Sequence, residues 1–447
     1  MYCKGMNEHD ELLNEAKAVL EVNQNGDYTV PAEGLYSHQW LWDSCFTAIG
    51  LSHYDIERSK KEILSLLRGQ WANGMLPHMI FSEGDKHGRD VNMWRSSISP
   101  FAPDKVSTSG ITQPPLIAEA VVKIGEQMSL SERRTWYQTV YPAIVAYHSW
   151  LYDERDPHNE GLTLQIHPWE TGLDNTPPWM AELQEHEMSP LVGLAKHKPV
   201  QILARILRRD YRLSQPGERL STFEGLALYL VQRRLRRKSY DINNILKHSL
   251  FAIEDLTFNS IFIRANSHLQ DIAKVIKKDL PNLLVENMKR SELALDQLWD
   301  AYSGQYFSRN FVTHKLIHIP TIAALMPLYS GAISKERAEQ IVSLLKDTQT
   351  FSAPFPVPSV PLDSPWFKSH GYWQGPTWIN TNWLIIDGLH KYGFTEEAKS
   401  LTKSCIDLVR ASGMSEYFSP IDGSPSGAKN FSWTAALIID LMSKKHK

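Results

Sequence analysis

A chain of 447 residues with a formal net charge of −3 offers no electrostatic footing for nucleic acid or an acidic membrane surface. Its 42% hydrophobic and 22% charged residues are ordinary for a globular protein, and no apolar run approaches the roughly 18 residues needed to span a bilayer. Three widely spaced cysteines, Cys3, Cys45 and Cys405, exclude a disulfide framework and point to a reducing compartment. The start, MYCKGMNEHDELLNEA, lacks a basic region followed by an apolar stretch, so a cytoplasmic location is expected.

Helical periodicity dominates the chain. Ile56, Ile63, Leu64, Leu67 and Trp71 recur at helical spacing, with Asn73-Gly74 as the expected stop. Segment 115–128 reads as a helix, and Trp136, Val140, Ile144, Tyr147 and Leu151 form the next stripe. Further helices are expected over 199–209, 224–238, 266–279, 284–300, 319–329, 335–347, 378–392, 395–411 and 433–444. Val/Ile/Thr alternation bounded by turns is scarce, so strands should be short and peripheral. The fold class is all-α.

The length exceeds the usual single domain, but a closed toroid uses such a length as one unit. Segments with polar faces alternate with segments opened by aromatic-rich loops, such as GLYSHQWLWDSCFTAIGL and GYWQGPTWINTNWLIIDGL. This order points to outer helices feeding inner ones through loops gathered at one end of a toroid. Residues 181–290 are poorer in Trp and carry the basic run RRLRRK at 233–238, which reads as a helical insertion or cap within a single catalytic domain. The Pro-rich stretch 352–367 reads as a rigid loop at a cleft rim.

Two carboxylates stand in loops crowded with aromatics: Asp174 in HPWETGLDN, 167–175, and Glu416 in SEYFSPIDG, 415–423. Hydrolysis of a sugar acetal needs one carboxyl that arrives protonated and one that arrives ionised. Aromatic faces cover the C–H side of a pyranose while amides and carboxylates hold its hydroxyls. Glu170, after Trp169, is a rival acid or a ligand for sugar hydroxyls. Asp43 opens the helix-like DSCFTAIGL and suits either an N-cap or a substrate contact, in a loop shared with Tyr36, Gln39, Trp40 and Trp42. Gln113, Tyr372, Trp373, Gln374, Trp378 and Trp433 complete the expected cleft, with packing the expected role of one of Trp373 and Trp378. His38, His78 and His167 match no metal signature, so neither a metal nor another cofactor is expected.

YSHQWLWDS (36–44), NGMLPHMIF (73–81), HPWETGLDN, YWQGPTW (372–378) and SEYFSPIDG…FSWTAAL together resemble glycoside hydrolase family 63, in particular its small bacterial mannosylglycerate and glucosylglycerate hydrolase branch. The resemblance implies an (α/α)6 barrel, inversion at the anomeric carbon, Asp174 as general acid and Glu416 as general base. It places Arg219 nearest to the position that meets a glycerate carboxylate. Two departures stand out: the lid segment reads DKHGRDVNMWRS, 85–96, and the match is weakest over 181–290. The expected partner is a small α-glucoside or α-mannoside, glycosylglycerate first; the alternatives are another small α-glucoside such as trehalose, or sugar epimerisation on the same barrel. A homo-oligomer is left open.

Overall fold

The computed structural model describes residues 8–82, 88–185 and 220–443. Helices alternate along the chain between two shells. Glu8–Val22, Ile56–Leu67, Leu130–Arg155, Asn282–Ala294, Lys335–Lys346 and Thr395–Ser412 lie outside. Each leads to an inner partner: Leu41–Leu51, Ile117–Glu126, Leu256–Ile276, the turn Ile322–Leu325 with Pro327–Ser330, Ile379–Lys391, and Ser432–Ser443. The inner six pack in sequence, and the last meets both the first and the fifth, so the ring closes. This is an (α/α)6 barrel, the architecture the alternation of segments predicts.

Composition explains the two shells. All eleven residues of Leu41–Leu51 are buried, and Ser432–Ser443 is nearly as enclosed, because an inner helix touches neighbours on every side. Outer helices bury one stripe only, as in Thr395–Ser412, where Ala398, Thr402, Cys405, Leu408 and Val409 face inward. Local caps fix their starts: Ser129 and Glu132 form a capping box on Leu130–Arg155, and Asp55 accepts from Arg58 N at 3.0 Å on Ile56–Leu67. That helix ends at Leu67, short of Asn73-Gly74. Gly74 instead makes a turn at φ +102, where a Cβ would stand 2.4 Å from the carbonyl oxygen of Ala146.

Connections from inner to outer helices are short, as at 52–55, 277–281 and 331–334, whereas those from outer to inner are long. There are six, 23–40, 68–116, 156–255, 295–321, 347–378 and 413–431, and all but 295–321 carry the motifs singled out above. The strands are two residues each and antiparallel in pairs. They are short as predicted, but Gln39–Trp40 with Met79–Ile80, and Tyr417–Phe418 with Pro425–Ser426, sit within the motif loops. The expected insertion over 181–290 overlaps the ring, since Leu256–Ile276 and Asn282–Ala294 belong to it. Among the described residues, the elements of connection 156–255 that depart from the ring are helices Pro177–Glu185, Thr222–Arg237 and Ile242–Leu246. The helix expected over 199–209 lies outside the described residues. Where the chain closes on itself, Asn23 Nδ2 donates to the carbonyl of Asn430 at 2.7 Å and to Ser432 Oγ at 2.9 Å.

Candidate active site

Glu416 is buried at the start of a tight antiparallel turn. Its N–H donates to the carbonyl of Ala428 at 2.9 Å, and its Oε2 accepts from the N–H of Ala428 at 2.8 Å. The Tyr36 hydroxyl donates to Oε1 at 2.7 Å. Gly427, at φ +73, makes this possible, because a Cβ there would stand 2.5 Å from Glu416 Oε2. Both carboxylate oxygens are thus oriented by donors, one from each end of the chain.

Asp174 follows a 3-10 turn, Pro168–Thr171, that His167 caps by accepting from Trp169 N at 3.0 Å. The turn closes at Gly172, φ +75, where a Cβ would stand 2.5 Å from the ring of Trp42. Only glycine lets that indole lie against the Asp174 loop. Asp174 is half-buried and accepts from the Tyr372 hydroxyl at 3.2 Å. Asn175 ties the same loop to the YWQGPTW segment, its Oδ1 accepting from Trp373 N at 3.0 Å and its carbonyl from Gln374 Nε2 at 2.9 Å.

Asp43 lies within electrostatic reach of both. It is buried in the first turn of Leu41–Leu51, whose N-cap is Trp40 with no side-chain cap bond. Asp43 is therefore not the N-cap. Burial raises the proton affinity of its carboxyl well above the ordinary range; Glu416, Asp174 and Glu62 add to this, against a lowering hydrogen bond from its own backbone. One buried carboxyl in the field of both Glu416 and Asp174 defines a three-acid centre.

Aromatic rings wall this centre. Trp42 meets Trp433 edge-on at 5.5 Å and lies 6.3 Å from Trp373. Trp373 stacks on Trp378 at 3.8 Å and 4°. Trp378 is wholly buried and gives its indole N–H to the carbonyl of Tyr372 at 3.1 Å, so it packs behind the site. A second wall runs through Tyr36, Trp40 and Trp169, all half-buried, with His78 between the two tryptophans at 5.1 and 6.2 Å. Burial lowers the His78 pKa well below the usual range, with His167 and His38 adding, so the ring is neutral. Its place here was hidden in the sequence, where NGMLPHMIF gives no sign that His78 meets Trp40 and Trp169.

Several expected substrate contacts are committed to the protein instead. Glu170 is wholly buried and forms a two-point ion pair with Arg155 at 2.8 and 2.9 Å while accepting from Thr112 N and Ile166 N. It has no oxygen left for a sugar and braces the Asp174 loop. The amide of Gln39 donates to Ser44 Oγ and the carbonyl of Glu62 and accepts from Ser65 Oγ, so it too is enclosed. Gln374 bonds Asn175, Glu224 and Lys368. Gln113 accepts from Trp42 N at 3.5 Å, anchoring the first turn of the inner helix. Arg219 lies outside the described residues, and the two arginines of the lid segment, Arg89 and Arg95, are exposed.

His38, His78 and His167 bond Ser82 with Asp90, Ser109, and the carbonyl of Leu228 with Trp169 N, respectively. They are not arranged around a common ion. Among the described residues, the group with metal-ligand geometry is His158, Glu160 and His314. No described helix is long and apolar enough to cross a membrane.

The sequence model of the mannosylglycerate hydrolase MGH1-like glycoside hydrolase domain matches residues 36–434. The chain is 37% identical to a mannosylglycerate hydrolase of Thermus thermophilus, over 95% of this chain and 99% of that protein. It is 28% identical to glucosylglycerate hydrolase of Mycolicibacterium hassiacum, over 96% and 97%. The crystal structure of family 63 mannosylglycerate hydrolase from a second strain of Thermus thermophilus, with Tris and D-glycerate, superposes with a TM-score of 0.85 at 35% identity, covering 96% of this chain and 99% of that one. Neutral trehalase of Saccharomyces cerevisiae shares the fold at a TM-score of 0.55 and 16% identity, covering 95% of this chain and 78% of that one.

Proposed function

Because the chain belongs to the mannosylglycerate hydrolase MGH1-like glycoside hydrolases of family 63, we propose that it cleaves the α-glycosidic bond of a glycosylglycerate, mannosylglycerate first, with inversion. The supporting observation is the three-acid centre: Asp174 and Glu416, each held by a tyrosine hydroxyl, with the buried Asp43 in the field of both. The names of the two similar hydrolases, mannosylglycerate at 37% and glucosylglycerate at 28% identity, set the order of substrates.

In this reading Asp174 gives its proton to the glycosidic oxygen as the C–O bond breaks, and the leaving glycerate carries that proton away. Glu416 takes a proton from a water that attacks the anomeric carbon from the opposite face. Glu416 suits the base, since Tyr36 and Ala428 N fix its oxygens against a water. Asp174 suits the acid, being half-open to the cleft, where a glycosidic oxygen can reach it. Asp43 accepts sugar hydroxyls, and Trp40 and Trp169 cover the ring. Arg219 is the proposed partner of the glycerate carboxylate, because a charged group entering an enclosed site needs a cation.

The test is incubation with α-mannosylglycerate, α-glucosylglycerate and trehalose, followed by proton NMR before mutarotation. The β-anomer of the sugar should appear first, from a glycerate substrate. Release of the α-anomer first overturns inversion. Hydrolysis of trehalose with neither glycosylglycerate cleaved overturns the substrate.

A further inference from the structure

Away from the three-acid centre, three ligating side chains converge where connection 156–255 meets the hairpin that follows Gln305–Tyr306. His158 and Glu160 stand just past helix Leu130–Arg155, and His314 stands in the turn between Asn310 and Lys315. One ligand atom from each lies within 4.8 Å of the other two. His158 Nδ1 is 4.0 Å from Glu160 Oε1, and His314 Nδ1 is 3.6 Å from Glu160 Oε2. The two imidazoles are nearly parallel, at 9° with centroids 6.4 Å apart. Phe311 lines up with both, at 4.8 Å from His158 and 6.4 Å from His314. His314 sits at φ +56, a backbone conformation that Asn or Gly adopts more readily.

We propose that His158, Glu160 and His314 bind a divalent transition cation, with Zn²⁺ the best-fitting member. Two imidazoles and one carboxylate suit Zn²⁺ and its neighbours, whereas Mg²⁺ and Ca²⁺ take oxygen ligands. At Zn–N and Zn–O lengths of about 2.1 Å, tetrahedral ligand atoms lie roughly 3.4 Å apart. The ion thus draws the three groups together by rotating side chains, with water in the open position. His158 is more than half exposed and His314 somewhat less, which leaves both rings free to turn.

Arg309 is the rival, its Nη2 2.6 Å from Glu160 Oε2. It also bonds Glu254 and Gln297, so its charge has another carboxylate partner, and Glu160 Oε1 faces His158. A neighbouring cation weakens the site without closing it. The consequence is structural. The same hairpin holds helix Pro177–Glu185, the helix after Asp174, through Asn310 Nδ2 to Glu182 Oε2 at 2.7 Å. An ion here clips the connection that carries Asp174 to the strand pair Ile253–Glu254 and Arg309–Asn310.

The test uses tag-free, chelator-treated full-length protein titrated with ZnCl₂ by calorimetry, with MgCl₂ as control. One Zn²⁺ per chain should bind and raise Tm, with no response to Mg²⁺. The His158→Ala/His314→Asn variant, in which Asn keeps the left-handed turn, should bind at least about tenfold more weakly. His158→Ala alone, a change at an exposed ring, gives the same readout should the double variant fail to fold. Absence of stoichiometric Zn²⁺ binding, or binding unchanged in a folded variant, overturns the site.

Discussion

The Tyr36 hydroxyl donates to Glu416 Oε1 at 2.7 Å across a separation of 380 residues. Tyr36 also meets Trp40 edge-on at 5.8 Å and Phe431 at 5.7 Å, so its ring is fixed before substrate arrives. The proposed base is thereby aimed by a residue that is itself held by its own loop and by the loop that carries the base.

Tyr36→Phe should lower kcat by about tenfold to a hundredfold with little change in KM, since it removes orientation of the base and leaves the ring contacts in place. The fold should lose no more than about 1.5 kcal/mol, the scale of one hydrogen bond. Kinetics and denaturant melts on one sample check this. Native kcat in the variant would remove Tyr36 from the mechanism.

Asp174→Asn and Glu416→Gln should each cut turnover on mannosylglycerate by at least about a hundredfold, as loss of general acid or base catalysis does. The leaving group tells them apart. A nitrophenyl α-mannoside, whose aglycone needs little protonation, should restore much of the Asp174→Asn loss and none of the Glu416→Gln loss. The opposite pattern would exchange the two roles.

Asp43→Asn should trade stability against activity. The folded pKa of Asp43 is raised above its ordinary 3.8, so the proton it holds when folded stabilises the protein at low pH. That contribution is lost as pH rises through the folded value. A neutral amide avoids the loss, so the variant should melt higher than the parent at pH 8 while kcat/KM falls about a hundredfold. Unchanged kinetics would show that Asp43 does not touch the sugar.

Glu62 gives a pH signature that stability measurements read directly. It is wholly buried, accepts from the Ser44 hydroxyl, and burial pushes its carboxyl from 4.5 to about 7. Stability from this proton is full below about pH 4.5 and disappears as pH rises through 7, up to roughly 3 kcal/mol at about 1.4 per unit. Glu62→Gln should flatten that fall in urea midpoints between pH 5 and 8. An identical slope in both proteins would place the proton elsewhere.

Arg219→Ala should raise KM for mannosylglycerate and leave a neutral α-mannoside nearly unaffected, because only the former brings a carboxylate. Equal effects on both substrates would end the proposed pairing with glycerate.

Much of the barrel is legible in the sequence because outer helices must bury one stripe and expose the other. Lys335–Lys346, Ile379–Lys391 and Thr395–Ser412 fall within a residue or two of the predicted spans. Leu256–Ile276 begins ten residues before the predicted 266, since its first half is buried on all sides and so shows no period. In the site, the motifs locate the loops but not which way each polar group turns. Glu170 and Asp174 are four residues apart with the same side-chain chemistry. Only Arg155, from the end of an outer helix, decides that Glu170 is a brace. The neutral His78 between two tryptophans was equally invisible, because its neighbours come from two other loops.

Ring closure through Asn23, Asn430 and Ser432 bears on the order of assembly. Glu416 and the turn that orients it belong to the last connection, yet their partner Tyr36 belongs to the first. During synthesis, five inner helices can be made while the reaction centre still lacks its proposed base. On the proposed assignment, a chain that ends before residue 416 should be inert toward glycosides however many inner helices it contains, and activity should arise only once the two ends meet.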